Sequence, residues 1–174
     1  IAEGLLRTVI ENAKILVKDP KNYDARAEVM WAGSLSHNGL TGCGAVVGGD
    51  FASHALEHEI GGIYDVAHGA GLAAVWGSWA RYVYKDCLSR FEKFAMNVMQ
   101  INPEGTAEEV ALRGIEAMEA FFREIGMPTS IHELGIEPGE EDLKLMAHKC
   151  SIASKGSKGS AKVLHEEDMY KIYK

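Results

Sequence analysis

The chain has 174 residues, 47% hydrophobic and 25% charged, with 18 Lys and Arg against 25 Asp and Glu for a net charge of −7. That length suits one domain with a sizeable core, and the composition excludes a disordered or collagen-like chain. No apolar run reaches the roughly 18 residues of a membrane span, no signal-peptide pattern opens at Ile1, and the acidic balance disfavours a nucleic-acid binder, which needs Lys and Arg against phosphate.

The opening IAEGLLRTVIENAKILVK carries Leu5, Leu6, Val9, Ile10, Ala13, Leu16 and Val17 at three-four spacing, which predicts an amphipathic helix ending before Asp19-Pro20. Ile1 follows no capping residue and no initiator methionine, so the chain is expected to be a piece of something longer. A second helix is expected from Asn22 to about Leu40. Glycines 39, 42, 44, 48 and 49 then impose a loop, in which Ala45-Val46-Val47 is the best strand candidate and too short to build a sheet. Asp50 is expected to cap a helix that runs through FASHALEHE to Gly61-Gly62. From His68 to about Met99 the pattern is almost continuously helical, with a bend expected near Gly77.

Residues 101–105 (INPEG) read as a loop, and Thr106-x-x-Glu109 fits a capping box for a long helix that Gly126 and Pro128 stop. A short piece around Ser130–Leu134, a helix from about Glu140 to Cys150 and a last one from about Glu166 to Tyr173 follow. The small polar run SIASKGSKGSAK between those two predicts a flexible surface loop. No segment alternates with period two, so the expectation is one all-α domain over residues 1–174, with no internal repeat. Cys43, Cys87 and Cys150 are odd in number and far apart, which argues against a disulfide framework and fits a reducing cytoplasm.

Three of the seven histidines fall in HALEHEIGGIYDVAH: His54, His58 and His68. Neutral imidazole is the commonest protein ligand for transition metals and a proton carrier near neutral pH. His54 and His58 share one helix face about 6 Å apart. On a straight helix His68 would lie roughly 21 Å beyond His54, so the chain must double back if all three meet. Gly61-Gly62 and residues 65–71 are where it could. Two metal readings stand side by side. In one, His54-x-x-Glu57-His58 matches the inverted zinc-protease pattern, with Glu57 as the base and Glu124 or Glu133 as a third ligand. In the other, His54 and His68 are ligands and His58 lies just outside the metal. Without a metal, the chain would be a helical interaction module in which the three histidines are incidental.

Residues 49–73, GDFASHALEHEIGGIYDVAHGAGLA, resemble the C-terminal signature of the iron-containing (group III) alcohol dehydrogenases: a histidine, a second four residues on, and a His-Gly 14 residues after the first. The flanking IAEGLLRTVIENA and NYDARAEVMWAGSLSHNGLTG agree, and the likeness runs to the terminal EEDMYKIYK. It looks most like the NAD(P)H-dependent butanol dehydrogenase/aldehyde reductase branch. The resemblance implies the multi-helix, all-α C-terminal domain of the dehydroquinate synthase-like type. It implies His54 and His68 as two metal ligands, and His58 beside the reacting centre as a proton relay or substrate-positioning group. It further implies hydride transfer between NAD or NADP and a primary alcohol or aldehyde, with Fe(II), or in some members zinc, as Lewis acid on the substrate oxygen.

Three departures bear on those implications. The family's other two ligands belong to an upstream D-x-x-x-H helix that this chain lacks, and its N-terminal dinucleotide-binding domain is likewise missing here. Ala67 stands where the family commonly has proline. The isolated chain is therefore expected to bind metal weakly and not to turn over. Its expected partners are the N-terminal nucleotide-binding domain, the small alcohol or aldehyde, and a second copy in a homodimer. Glu57 and Glu59 read as solvated or salt-bridged, Trp31, Trp76 and Trp79 as core, and His37, His132, His148 and His165 as structural or surface residues. Cys43 has no basic neighbour to activate its thiol.

Overall fold

The computed structural model describes residues 1–45 and 49–174; Val46 and Val47 of the strand candidate lie outside them. Among the described residues eight α-helices follow in order: α1 Ala2–Lys18, α2 Tyr23–His37, α3 Ala52–Tyr64, α4 His68–Val83, α5 Leu88–Asn97, α6 Ala107–Glu124, α7 Glu140–Ala153 and α8 Glu166–Tyr173. Single 3-10 turns occupy Leu40–Gly42 and His132–Leu134. The described residues form no strand, and Lys158 and Leu164 make an isolated antiparallel bridge. The fold is all-α, as the missing period-two alternation requires.

Most boundaries are set locally. Asn22 Oδ1 accepts from Ala25 N at 3.0 Å, satisfying one of the N–H groups a helix start leaves open. At α6 the box closes in both directions: Glu109 N donates to Thr106 Oγ1 at 3.3 Å and Thr106 N to Glu109 Oε2 at 2.7 Å. Asp142 and Asp168 reach back in the same way to the N–H groups of Gly139 and His165.

Three boundaries differ from the sequence expectation. Gly61-Gly62 does not end α3, which continues to Tyr64. The helix after His68 runs unbroken through the buried Gly77 and breaks at residues 84–87, where both Asp86 carboxylate oxygens bond Lys162 Nζ at 3.1 and 3.0 Å. Asp50 caps only in part. Its Oδ1 accepts from Ala52 N at 2.9 Å, but its Oδ2 accepts from Ser160 N and Ala161 N at 2.6 and 2.7 Å. That carboxylate fastens the Ser154–Lys162 run, expected to be flexible, against the start of α3.

The chain packs as two compact units, one of Ile1–Gly48 with Ser89–Ile125 and the other of Gly49–Leu88 with Gly126–Lys174. In the first, α1 pairs with α2, and α6 buries Val110, Ala111, Ile115, Met118 and Phe121, a stripe at helical spacing. Gly114 lies in that stripe because α5 comes close there: a Cβ at Gly114 would stand 2.5 Å from the Ala95 Cβ. Polar ties close the edges of this unit, among them Lys14 Nζ to Glu124 Oε2 at 2.8 Å and Asn97 Nδ2 to Glu3 Oε1 at 3.0 Å. Trp31 is 65% exposed on α2, which corrects its assignment to the core. It stands beside exposed Met30, while the inward face of α2 is made by Ala25 and Ala32.

In the second unit α3 packs on α4 and α7, and α8 packs on α7 and α4. Leu56, Ile60, Val75, Val83, Met146, Leu164 and Met169 are fully buried there. Each such side chain contributes about 1.5–3 kcal/mol relative to exposure. Trp76 and Trp79 are half-buried on α4. Tyr173, near the C-terminus, donates its hydroxyl to Leu56 O at 2.6 Å and so pins α8 to α3.

Candidate metal centre

His54 and His58 stand one turn apart on α3, as their spacing dictates. What brings in His68 is the link between α3 and α4. Asp65 closes α3 in the left-handed region, φ 54, with its N–H donating to Gly61 O. Val66 and Ala67 complete the reversal, and His68 is the first residue of α4. The two helices pack side by side, so the first imidazole of α4 comes back to the middle of α3. Asp is one of the few residues other than glycine that adopt this conformation readily. The reversal thus falls four residues later than the glycine pair suggested.

The His54 and His68 ring centroids are 5.3 Å apart, those of His58 and His68 5.5 Å, and those of His54 and His58 6.5 Å. One ligating nitrogen from each can be chosen so that all three lie within 4.8 Å of one another. Two imidazole nitrogens at about 2.1 Å from a shared cation can be at most about 4.2 Å apart, so small ring rotations suffice to close the set. His54 is half-buried and the other two rings are exposed. An all-imidazole donor set suits zinc, Fe(II), Ni and Cu rather than the hard cations that prefer oxygen.

Glu57 completes the arrangement. It points away from solvent, is 1% exposed, and its Oε2 pairs with His68 Nδ1. An ionised carboxylate only accepts, so the pair assigns the proton to Nδ1 and leaves Nε2 of His68 with its lone pair free for a metal. Sequence reading favoured a solvated or salt-bridged Glu57 and did not connect it with His68. The available signal lay in the glycines, whose missing Cβ atoms make room for this carboxylate.

Beside the cluster lies an open cleft of about 270 Å³ lined by Phe51, His54, Ala55, His58, Glu59, Ala153, Ser154 and Lys158. The Phe51 ring packs 5.3 Å from that of His54. His58 therefore faces both the neighbouring imidazoles and a space large enough for a small molecule.

The remaining histidines are exposed and engaged elsewhere: His132 with Glu137 at 3.2 Å, His148 with Glu166 at 3.1 Å, His165 with Gly156 O, and His37 with Ser36 and Gly33 O. Of the two extra ligands considered for a zinc hydrolase, Glu124 pairs with Lys14, and Glu133 accepts from Thr129 N at 2.6 Å. Among the described residues the metal-competent cluster contains neither.

A helical chain with three converging imidazoles defines a class, an α-domain with a donor set that could hold a metal ion, and comparison with known proteins narrows it. Residues 1–174 match the Fe-containing alcohol dehydrogenase family, C-terminal. The chain belongs to that family. It is 36% identical to NADH-dependent butanol dehydrogenase A of Clostridium acetobutylicum over 175 residues, which covers 100% of this chain and 44% of that protein. It is 35% identical to the NADPH-dependent aldehyde reductase YqhD of Escherichia coli over 136 residues, 78% of this chain and 34% of that one. The crystal structure of NADH-dependent butanol dehydrogenase A from Thermotoga maritima superposes with a TM-score of 0.89 at 36% identity, over 98% of this chain and 44% of that one. The chain spans less than half the length of these relatives.

Proposed function

We propose that this chain is the metal-binding, all-α part of a cytoplasmic oxidoreductase that moves hydride between NAD or NADP and a primary alcohol or aldehyde. Its partners in that work are an N-terminal nucleotide-binding domain and a second copy of the same subunit. The observation that carries the reading is the convergence of His54, His58 and His68 in a chain that matches the family from end to end. Residues 1–174 serve as one functional domain in this scheme. His54 and His68 hold the metal, Fe(II) or zinc, completed by ligands from outside the chain. When bound, that ion supplies a Lewis acid for the substrate oxygen.

This chain's own residues do the rest. His58 borders the cleft and can exchange a proton with the substrate oxygen or fix its direction by a hydrogen bond. Phe51 and Ala55 give the cleft an apolar wall suited to a short carbon chain. The hydrolase reading needs Glu57 as an exposed base, and its burial against His68 removes the support for it.

The test uses the complete enzyme that carries this sequence and follows NAD(P)H oxidation with butanal. His54→Ala and His68→Ala are expected to lose metal and activity together. His58→Ala is expected to keep the metal and lose about 10²–10⁴-fold in kcat, the usual contribution of a positioned proton-transfer group. The 174-residue chain alone is expected to bind metal without turnover. Metal retained in His68→Ala but lost in His58→Ala would overturn the ligand assignment and favour hydrolase chemistry.

A further inference from the structure

We propose that Glu57 is a positioning residue for the metal centre: it holds His68 as the Nδ1–H tautomer with Nε2 directed outward, and Gly61 and Gly71 are glycines to leave room for its carboxylate. The inference rests on the reading of His68 as a ligand and adds to it the group that sets that ligand's orientation.

Three observations agree. Glu57 is buried although its α3 neighbours His58 and Glu59 are not, and a buried carboxylate is costly unless it is paired. Its Oε2 meets His68 Nδ1, 11 residues away in sequence and across the α3–α4 reversal. Its own helix and the neighbouring α4 each carry a glycine against it. A Cβ at Gly71 would lie 2.7 Å from both Cγ and Oε1 of Glu57, and one at Gly61 would lie 3.0 Å from Oε1. Neither glycine has a positive φ, so backbone conformation does not call for them. Glycine inside a helix lowers stability relative to alanine. Two such positions closing on one carboxylate are explained by the volume that carboxylate occupies.

The physical consequence falls on His68. A neutral ring in water favours the Nε2–H form, which has no lone pair on the nitrogen that points outward. Accepting the Nδ1 proton reverses that preference, fixes the ring plane and raises the basicity of Nε2. His68 then meets a cation already in its ligating form.

The experiment takes the 174-residue chain and measures two quantities. The first is the ¹⁵N imidazole spectrum of the metal-free protein well above the ordinary imidazole pKa, where the rings are neutral. The second is Zn²⁺ affinity by competition with a chelating dye. His68 is expected as the Nδ1–H tautomer in the parent chain and in Glu57→Gln, whose Oε1 still accepts, and as mainly Nε2–H in Glu57→Ala. Zn²⁺ affinity is expected to fall about 10–100-fold in Glu57→Ala, the range for groups that orient metal ligands, and less in Glu57→Gln. Gly71→Ala keeps every charge and only displaces the carboxylate; it is expected to weaken Zn²⁺ binding in the same direction while the metal-free chain melts at or above the parent temperature. If Glu57→Ala does not fold, Gly71→Ala carries the test.

Parent-like affinity and tautomer in Glu57→Ala and Gly71→Ala, with affinity lost in His68→Ala, would overturn the role of Glu57 and leave the metal site standing. Equal Zn²⁺ binding by the parent and His68→Ala would overturn the reading of His68 as a ligand and the positioning role with it.

Discussion

One hydroxyl, one carboxylate and one thiol show how far single groups set the behaviour of the second unit. Tyr173 donates to Leu56 O from a buried position, and desolvation raises its pKa, so it stays a neutral donor. Tyr173→Phe is expected to cost about 1 kcal/mol, read as a lower urea midpoint at unchanged slope. Asp168 is pushed up by burial, but hydrogen bonds from Tyr82 and from the His165 N–H, with Lys171 nearby, outweigh that and hold it below its ordinary value of 3.8. A depressed folded pKa gives stability that is complete above the unfolded value and is lost as the pH falls through the folded one. Acid titration is therefore expected to destabilise the chain below about pH 4, and Asp168→Asn should flatten part of that slope. Among the thiols, burial pushes Cys150 up to about 11, whereas Cys43 is exposed. Alkylation of the native chain is expected to label Cys43 first and Cys150 only on unfolding; early labelling of Cys150 would mean that α7 opens locally.

At the scale of elements, the helix starts follow from local chemistry and the helix contacts do not. Thr106→Ala removes one arm of the α6 capping box and is expected to cost about 1 kcal/mol. Gly114 gives the opposite lesson. Propensity alone says that alanine in mid-helix gains up to about 1 kcal/mol. The added Cβ, however, would stand 2.8 Å from the Ala95 Cα, which is backbone and cannot swing aside. Gly114→Ala is therefore expected to be net destabilising, since overpacking costs about 1–3 kcal/mol. A rise in thermal midpoint for that variant would show that α5 and α6 can separate cheaply. The break at residues 84–87 belongs here too. The residues between α4 and α5 look helical one by one, and Asp86 is held instead by Lys162, a loop residue 76 positions away.

For the molecule as a whole, the proposed metal centre would link ligand and stability. The three histidines all lie in the second unit, so metal is expected to stabilise that unit. A ligand that binds only the folded form adds RT ln(1 + [L]/Kd), about 2.7 kcal/mol at a hundredfold excess over Kd. Zn²⁺ is expected to raise the melting transition of the second unit in proportion to the logarithm of its concentration, and a chelator to reverse the rise. His54→Ala or His68→Ala should abolish the dependence. No helix among the described residues is long and apolar enough to cross a membrane.

The sequence by itself determined the helix inventory apart from the break between α4 and α5, because caps, prolines and three-four spacing act within a few residues, and Thr106-Glu109 or Asp19-Pro20 behave alike in any context. It also determined that His54 and His58 share a face, and the spacing to His68 carried the family resemblance. Tertiary structure decided that the third imidazole meets the other two, through a left-handed Asp65 and the packing of α4 along α3. It decided that Asp50 spends one oxygen on a loop 110 residues away, that Trp31 stays in water, and that Glu57 turns inward between two glycines. These outcomes depend on which distant surfaces come into contact, and neither helix periodicity nor residue type encodes the identity of a neighbour across a turn.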